Sequence, residues 1–345
     1  MKGYNVAIVG ATGLVGQEFI KVLEQRHFPM ASIHLYASDR SVGKKLKANR
    51  QEIEVKETTG GSFRGIDIAL FSAGADISRH FSPIAAKAGA VVVDNSAAFR
   101  MEPDVPLVVP EVNPEDIKDH HGIIANPNCS TIQMVVALYP LHKVNPIQRL
   151  TVSTYQSVSG TGAAAMEELT TQSRLILEGR DAIPQVYHYQ IAFNLFPEID
   201  VFLDDGYTKE EWKMVNETRK IMHAPEIAIS ATCVRVPVYI GHSEAVQVEF
   251  THPMSPEEAR EILAQAPGVE VIDDPRAGLY PYPWLAAGKD EVFVGRIRKD
   301  VSHPKGLVLW IVADNLRKGA ALNAVQIAEE MIQRDWVQKG AEWKS

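Results

Sequence analysis

The sequence predicts an α/β protein in two parts, a parallel-sheet domain followed by an α+β domain. Three observations predict it. An apolar run at residues 5–9 ends in a glycine-rich loop and passes into a helical pattern. Further short apolar runs then alternate with helical segments, which is the order of a parallel sheet with crossover helices. From Gln148 the texture changes to longer β-rich runs carrying alternating polar residues. The chain has 345 residues, 46% of them hydrophobic, and that is enough for two cores.

Residues 5–9 read as a buried strand, followed by Gly10-Ala11-Thr12-Gly13-Leu14-Val15-Gly16 and a helix periodic in Phe19, Ile20, Val22 and Leu23. Strand, glycine loop and helix make the opening of a Rossmann-type dinucleotide-binding domain. The glycines permit a tight turn and close approach of the backbone to a pyrophosphate, which the helix N-terminus then favours electrostatically. Gly10, Thr12, Gly13, Leu14 and Val15 are the candidate cofactor contacts. A second strand at 32–37 ends in Ser38-Asp39-Arg40-Ser41, where such a fold meets the adenosine ribose. Arg40 with Ser41 suits a 2′-phosphate and Asp39 a 2′-hydroxyl; the turn holds a residue for each. Runs at 67–71 and 90–93 close in Ser72-Ala73-Gly74 and Asp94-Asn95-Ser96, at the carboxyl ends where ligands of parallel sheets sit. Arg100, just beyond, is a candidate anion holder.

The stretch 123–138, IIANPNCSTIQMVVAL, places Cys129 at the start of a helical pattern. Free N–H groups and the positive end of the macrodipole at such a position favour a thiolate, the nucleophilic form of cysteine. The plain alternative is a buried cysteine acting as a small hydrophobe. Strands follow at 150–158, 227–238, 245–251 and 307–313, reading as an antiparallel sheet with one covered face. Helical patterns around 163–177 and 208–222 supply the cover. Residues 179–205, rich in aromatics, Pro and Asn, take no assignment. Residues 317–336 read as one long amphipathic helix returning to the first domain, so the domains are 1–128 with 316–345, and 129–315.

A net charge of −8, a pI near 5.8 and no basic run beyond Lys44-Lys45 argue against nucleic acid as a partner. No apolar stretch approaches the ~20 residues of a membrane span, and Met1-Lys2-Gly3-Tyr4 leads into a strand without a signal-peptide core. Two cysteines far apart suit a reducing compartment, and a cytoplasmic protein is expected. No H-E-x-x-H and no paired C-x-x-C is present, so no metal is expected.

Five strings in order, NPNCST at 126–131, TYQSVSGTG at 154–162, EEWK at 210–213, CVRVPVYIGH at 233–242 and ADNLRKGAA at 313–321, resemble the aspartate-semialdehyde dehydrogenases. The likeness runs from the glycine loop to the last helix. It implies a Rossmann-type NADP domain joined to a catalytic and dimerisation domain, and a homodimer. It also implies reduction of L-aspartyl 4-phosphate by NADPH to L-aspartate 4-semialdehyde and phosphate through a cysteine thioester, in lysine, methionine and threonine biosynthesis. By that resemblance Cys129 is the nucleophile, His242 the general acid/base and Gln156 the amide that orients the acyl group. Arg235 grips the substrate α-carboxylate and Glu210 helps hold the substrate, while Lys213 and Arg100 hold phosphate. Arg40 and Ser41 serve the NADP 2′-phosphate. Ser159 and Gly160 match cofactor contacts, and Asn315 matches a contact to the nicotinamide end. Cys233, two residues before Arg235 on a strand, reads as packing. Spacing alone makes Glu210 and Lys213 a solvated i,i+3 ion pair. Two other readings remain: N-acetyl-γ-glutamyl-phosphate reductase, whose acylated substrate has no amino group for Glu210, and a non-catalytic NADP-binding redox sensor.

Overall fold

The computed structural model describes residues 3–48 and 50–337. The chain forms two compact units: one runs to Asn128 and resumes at Ala320, and the other is Cys129–Gly319. The return to the first unit thus falls at 319/320, past the 315/316 junction read from the sequence.

In the first unit β1 (Tyr4–Val9) leads through the glycine loop to α1 (Leu14–Gln25) and β2 (Met30–Ala37). A hairpin that the sequence reading did not pick out follows, β3 (Lys45–Ala48) with β4 (Gln51–Glu54), and then β5 (Lys56–Glu57). The remaining elements are β6 (Ile68–Phe71), α2 (Ala75–Lys87), β7 (Val91–Asp94) and β8 (Ile123–Ala125). The sheet order is β5-β2-β1-β6-β7-β8 and every pair is parallel. The chain leaves β1 on one side to make β2 and crosses to the other to make β6. The carboxyl ends of β1 and β6 therefore form the switch point at which such sheets bind ligands. β6 and β7 are buried along their whole length, because a parallel sheet is covered on both faces.

The second unit comprises α3 (Cys129–Val144), β9 (Ile147–Gln156), α4 (Ala163–Leu177), α5 (Lys209–Ile221), β10 (Ala228–Arg235), β11 (His242–Phe250), α6 (Pro256–Ala264), β12 (Val269–Val271), α7 (Pro283–Ala286), β13 (Val292–Lys299) and β14 (Gly306–Ala313). Every residue from Ser130 to Leu138 is buried, so α3 is a central helix that meets solvent only in its last turn, packed on α5, α6 and the sheet. The sheet order is β10-β9-β11-β14-β13-β12. It is mixed, which corrects the antiparallel expectation: β9 with β10 and β12 with β13 run parallel. The long crossover through α4 and α5 is what lets β10 return in the direction of β9. β9 and β10 also end at Gln156 and Arg235, short of the apolar Val158 and Val238 where the sequence reading ended them.

Residues 179–205 form neither helix nor regular strand, because α4 supplies their hydrogen bonds. Glu168 accepts from the backbone N–H groups of Gln185 and Val186, and Gln172 Oε1 accepts from Ile191 and Ala192 at 2.9 and 3.1 Å. Two side chains one helical turn apart thereby satisfy backbone that would otherwise need a strand partner.

The last segment is not one long helix. Arg317–Ala321 is a π-helical turn, followed by α8 (Leu322–Gln333), which buries Leu322, Val325, Ile327 and Met331 in the core of the first unit. Asp335 takes φ 56°, and the Asp335 and Trp336 N–H groups return to the Ile332 and Met331 carbonyls. This is a Schellman closure, and the apolar Trp336 that extended the apparent helix is its closing contact. Among the described residues no helix is long and apolar enough to cross a membrane.

Candidate active site

The glycine loop assigns a different task to each glycine. Gly10 has φ 87°, and a Cβ there would lie 2.3 Å from the Ser72 carbonyl oxygen at the end of β6. A Cβ on Gly16 would lie 2.2 Å from the Gly10 carbonyl oxygen, so α1 packs on its own loop only through a glycine. Gly13 is the N-cap of α1; no side chain caps this end, and a Cβ would meet only the Gly10 carbonyl oxygen, at 3.4 Å. The first turn of α1, with Leu14 and Val15, thus presents backbone N–H groups across an open approach, which fits a pyrophosphate. At the end of β2 the Asp39 carboxylate accepts from the Arg40 backbone N–H at 2.8 Å, the Arg40 side chain is exposed, and the Ser41 and Thr12 hydroxyls are 3.2 Å apart. Arg100, also in this unit, is buried and donates from Nη2 to the Asn95 carbonyl oxygen. Burial pushes the nearby Asp94 carboxyl up, and bonds from Ser96 and Ser78 and the charge of Arg100 offset part of that rise.

In the second unit, Gln156 ends β9 and donates from Nε2 to Glu210 Oε1 at 3.1 Å. Its Oε1 accepts from the Thr154 hydroxyl at 3.0 Å. Glu210 Oε2 is 3.0 Å from Lys213 Nζ, which also donates to Asp200 at 2.8 Å. Both members of the pair are substantially buried, not the solvated i,i+3 pair that spacing alone suggests. Burial would lower the Lys213 pKa, but Glu210 and Asp200 outweigh it and hold the ammonium above its usual range. The capping box of Thr208 and Glu211 fixes where α5 begins, and Glu211 also accepts from the Cys233 N–H at 3.0 Å. Cys233 itself is fully buried, and burial, with Glu210 next, pushes its thiol up, so it is an inert packing group.

Arg235 ends β10 beside β9, buried, with Nη1 donating to the Ser157 carbonyl oxygen at 2.6 Å and its guanidinium 6.0 Å from the Tyr187 ring. Arg235 Nε has no hydrogen-bond partner among the described residues. His242, fully buried at the start of β11, accepts at Nδ1 from the Ser157 backbone N–H at 3.0 Å. That bond leaves the ring proton on Nε2, which has no partner among the described residues. Burial first, and Arg235 second, push His242 down to about 3, so the ring is neutral. A Cβ on Gly160 would come within 3.3 Å of Arg235 Nη1 and 3.4 Å of His242 Nε2; the glycine keeps this side of both groups open. Asn315 Oδ1 accepts from the Ser157 and Ser159 hydroxyls and from the Gly241 N–H at 2.9 Å, while its Nδ2 donates to Ser159. It ties the turn after β9 to the turn before β11.

Cys129 is the first residue of α3. Against it packs Gly319 of the π-helical turn, where a Cβ would be 3.0 Å from the Cys129 Cβ. The contact explains a backbone irregularity that periodicity could not show: π-turns recur where a helix must deform around a site.

Gln156, Glu210 and Lys213 thus form one hydrogen-bonded chain, and Ser157 links Arg235, His242, Ser159 and Asn315 into another. Cys129 joins the same unit through α3 and Gly319. The glycine loop, Arg40, Ser41 and Arg100 belong to the first unit. Ser157, Asp200, Glu211 and Gly319 were missed in the sequence. Ser157, Glu211 and Gly319 lay inside the quoted strings, and nothing about a serine signals that its backbone N–H will meet a histidine 85 positions away. Among the described residues no three His, Cys, Asp or Glu side chains gather as a metal site.

Two family patterns cover most of the chain: the NAD binding domain of semialdehyde dehydrogenase over residues 5–120, and its dimerisation domain over residues 138–318. The aspartate-semialdehyde dehydrogenase of Aquifex aeolicus is 60% identical over 334 residues, 96% of this chain and 98% of that one. That of Bacillus subtilis is 52% identical over 338 residues, again 96% and 98%. The crystal structure of aspartate semialdehyde dehydrogenase II from Vibrio cholerae complexed with ASA superposes with a TM-score of 0.94 at 49% identity, covering 96% of this chain and 99% of that one. The enzyme of Candida albicans with NADP superposes at 0.77 and 28% identity, covering 97% and 100%. A fold, a buried polar network and relatives that agree over this length lead to one conclusion: the chain belongs to the aspartate-semialdehyde dehydrogenase family of oxidoreductases.

Proposed function

We propose that this chain performs the family's reaction with Cys129 as the nucleophile, NADP(H) as the redox partner and L-aspartyl 4-phosphate as the substrate. The Cys129 thiolate attacks the acyl carbon, the C–S bond forms, and the C–O bond to phosphate breaks. Arg100 and Lys213 are the cations for that leaving group, and two suit a dianion better than one. NADPH, when bound, supplies the hydride that reduces the thioester carbon. The oxyanion formed there needs a hydrogen-bond donor, and neutral His242 has one: Ser157 holds Nδ1 as an acceptor, so the Nε2–H is the group left to hydrogen-bond to it. When the C–S bond breaks, the thiolate returns and the semialdehyde leaves.

Gln156, an amide bonded on both ends, orients the acyl group without adding charge. Arg235 offers the α-carboxylate a planar fork from a fixed position. Glu210 faces the substrate's amino group. Residues 1–128 with the C-terminal helix bind the nucleotide, through the first turn of α1 and the turn that carries Arg40 and Ser41, and residues 129–319 carry catalysis and dimerisation. Asn315 acts from behind as the residue that fixes Ser157, Ser159 and Gly241. A cytoplasmic homodimer completes the reading. Exposed Leu279, Tyr280, Tyr282 and Trp284 of the second unit are the kind of apolar surface a partner copy covers.

The observation that carries the proposal is the neutral, buried His242 with a single N–H free to hydrogen-bond, in the unit whose central helix begins at Cys129. Purified protein with NADP+ and phosphate is tested against aspartate semialdehyde and N-acetylglutamate semialdehyde separately. An absorbance rise from NADPH with the first aldehyde is expected. A rise with the second alone assigns the acylated substrate, and no rise with either assigns a sensor.

A further inference from the structure

Two residues after His242, β11 carries Glu244, whose side chain leaves the strand on the same face. Glu244 is fully buried, and neither carboxyl oxygen has a hydrogen-bond partner among the described residues. Gln133 of α3 is the side chain within reach of it, and the Gln133 amide opposes, without cancelling, the upward push of burial on the carboxyl. Gln133 Oε1 is likewise buried and without a partner, while its Nε2 donates to the His242 carbonyl oxygen at 3.4 Å. The positions opposite it on the neighbouring strands bring no cation; Arg149 of β9 pairs with Glu249, and Arg235 ends β10 two residues beyond Cys233. Thr154 and Ile311 stand opposite Glu244 on β9 and β14, and Cys233, a buried thiol, stands beyond Thr154 on β10. Of the other titratable groups on β11, His242 is neutral and Glu249, at the far end of the strand, pairs with Arg149. A carboxylate here would be a buried charge with no counter-ion and at most the Gln133 amide as a donor, a costly way to bury an acid. A carboxylic acid reverses the count, because it brings a donor to the one nearby acceptor that lacks one.

We propose that Glu244 is a neutral carboxylic acid whose O–H donates to Gln133 Oε1, and that the pair is a positioning latch joining the helix that begins with Cys129 to the strand that begins with His242. Gln133 is four residues after Cys129, one turn along the same helix face. Movement at the latch therefore moves the nucleophile against the proton donor, and small displacements of reacting groups are expensive in rate. Burial works in the same direction, pushing the Glu244 carboxyl well above the usual carboxylate range, and the Gln133 amide offsets only part of that rise. The inference rests on the roles proposed for Cys129 and His242, but the protonated acid itself is read without turnover.

Infrared spectra of the full-length protein, compared with Glu244→Gln, test it directly. A carboxylic-acid C=O band is expected in the wild type from about pH 6 to 9 and is lost in the variant. Glu244→Gln keeps a donor for Gln133 Oε1 and is expected to retain kcat within about threefold, whereas Glu244→Leu and Gln133→Leu lower kcat about tenfold or more with KM for the aldehyde unchanged. A wild type without the acid band, or Glu244→Gln falling as far as Glu244→Leu, overturns the latch. If the wild type shows the band but turns over no aldehyde, the acid stands and the proposed function fails.

Discussion

Around the glycine loop the first unit offers a ligand its backbone, whereas around His242 the second unit offers side chains. Gly10, Gly13 and Gly16 act by what they lack: each omits a Cβ, two because the chain would strike itself and one because the space is left for a ligand. Gln156, Glu210, Arg235, His242 and Asn315 act by what they hold, and each is buried and bonded to at least one other member of the network or to the Ser157 turn. A backbone site tolerates change at its neighbours but not at its glycines. A side-chain network transmits change from any member. Binding a phosphate and carrying out acyl chemistry call for these different materials, since the first needs close approach and the second needs fixed protons and charges.

The sharpest separation of the two regions is Cys129→Ser. Turnover is expected to fall on the order of a thousandfold or more, because a helix N-terminus does not ionise an alcohol, while NADPH binding at the glycine loop stays within about twofold. Fluorescence titration of NADPH beside the aldehyde assay checks both. Loss of cofactor affinity in step with activity would mean that the regions do not work separately.

Protonation separates them next. His242 has a folded pKa near 3 against 6.5 in the open chain. Between those values the unfolded state binds a proton that the native state refuses, so stability is complete above pH 6.5 and is lost as pH falls toward 3, at up to about 1.4 kcal/mol per pH unit. Urea midpoints measured from pH 7 to 4 should fall more steeply in the wild type than in His242→Asn. Parallel slopes would place the histidine in contact with water and dissolve the case for a fixed Nε2 proton.

How much of this was legible in the sequence follows the same division. The glycine loop, the start of α3 at Cys129 and the bounds of α4 depend on neighbours a few residues apart, and the pattern of residues carries them. The mixed sheet, the docking of residues 185–192 on Glu168 and Gln172, and the bond from Ser157 to His242 depend on partners far along the chain. No local period encodes those. The long helix expected over 317–336 failed at both ends for identifiable reasons: a π-turn accommodates Cys129 at one end, and Asp335 with Trp336 closes a Schellman motif at the other. The family resemblance named Glu210 and Lys213, but only the structure shows that both are committed to partners before any substrate arrives.

Within the backbone site, Gly13→Ala and Gly16→Ala should part company. At Gly16 the new methyl meets the Gly10 carbonyl oxygen at 2.2 Å, and a loss of about 3 kcal/mol of stability is expected. At Gly13, with φ −75° and only one contact at 3.4 Å, the fold should be unaffected and NADP+ affinity reduced. Thermal melts and nucleotide titrations on the two variants separate strain from obstruction, and equal melting temperatures would show that α1 can shift to relieve the clash.

The smallest expected effect is also the finest test of what the first unit recognises. NAD-selective folds commonly set an acidic residue near the end of the second strand to accept from the ribose 2′-hydroxyl, and Asp39 stands at that place. Its carboxylate, however, accepts from the Arg40 N–H and so is spent on closing its own turn. The Arg40 side chain, by contrast, is exposed next to Ser41, whose hydroxyl reaches Thr12 of the glycine loop. A 2′-phosphate would find there a cation and a hydroxyl held against the same loop that takes the pyrophosphate. Arg40→Ala is therefore expected to weaken NADP+ binding by about 1–3 kcal/mol, the scale of a charge-assisted hydrogen bond, and to leave NAD+ nearly unchanged. Calorimetric titration of both nucleotides against both proteins measures the difference. Were both nucleotides weakened alike, or NAD+ preferred by the wild type, Asp39 would be the selector, and side-chain charge would govern the first unit as it does the second.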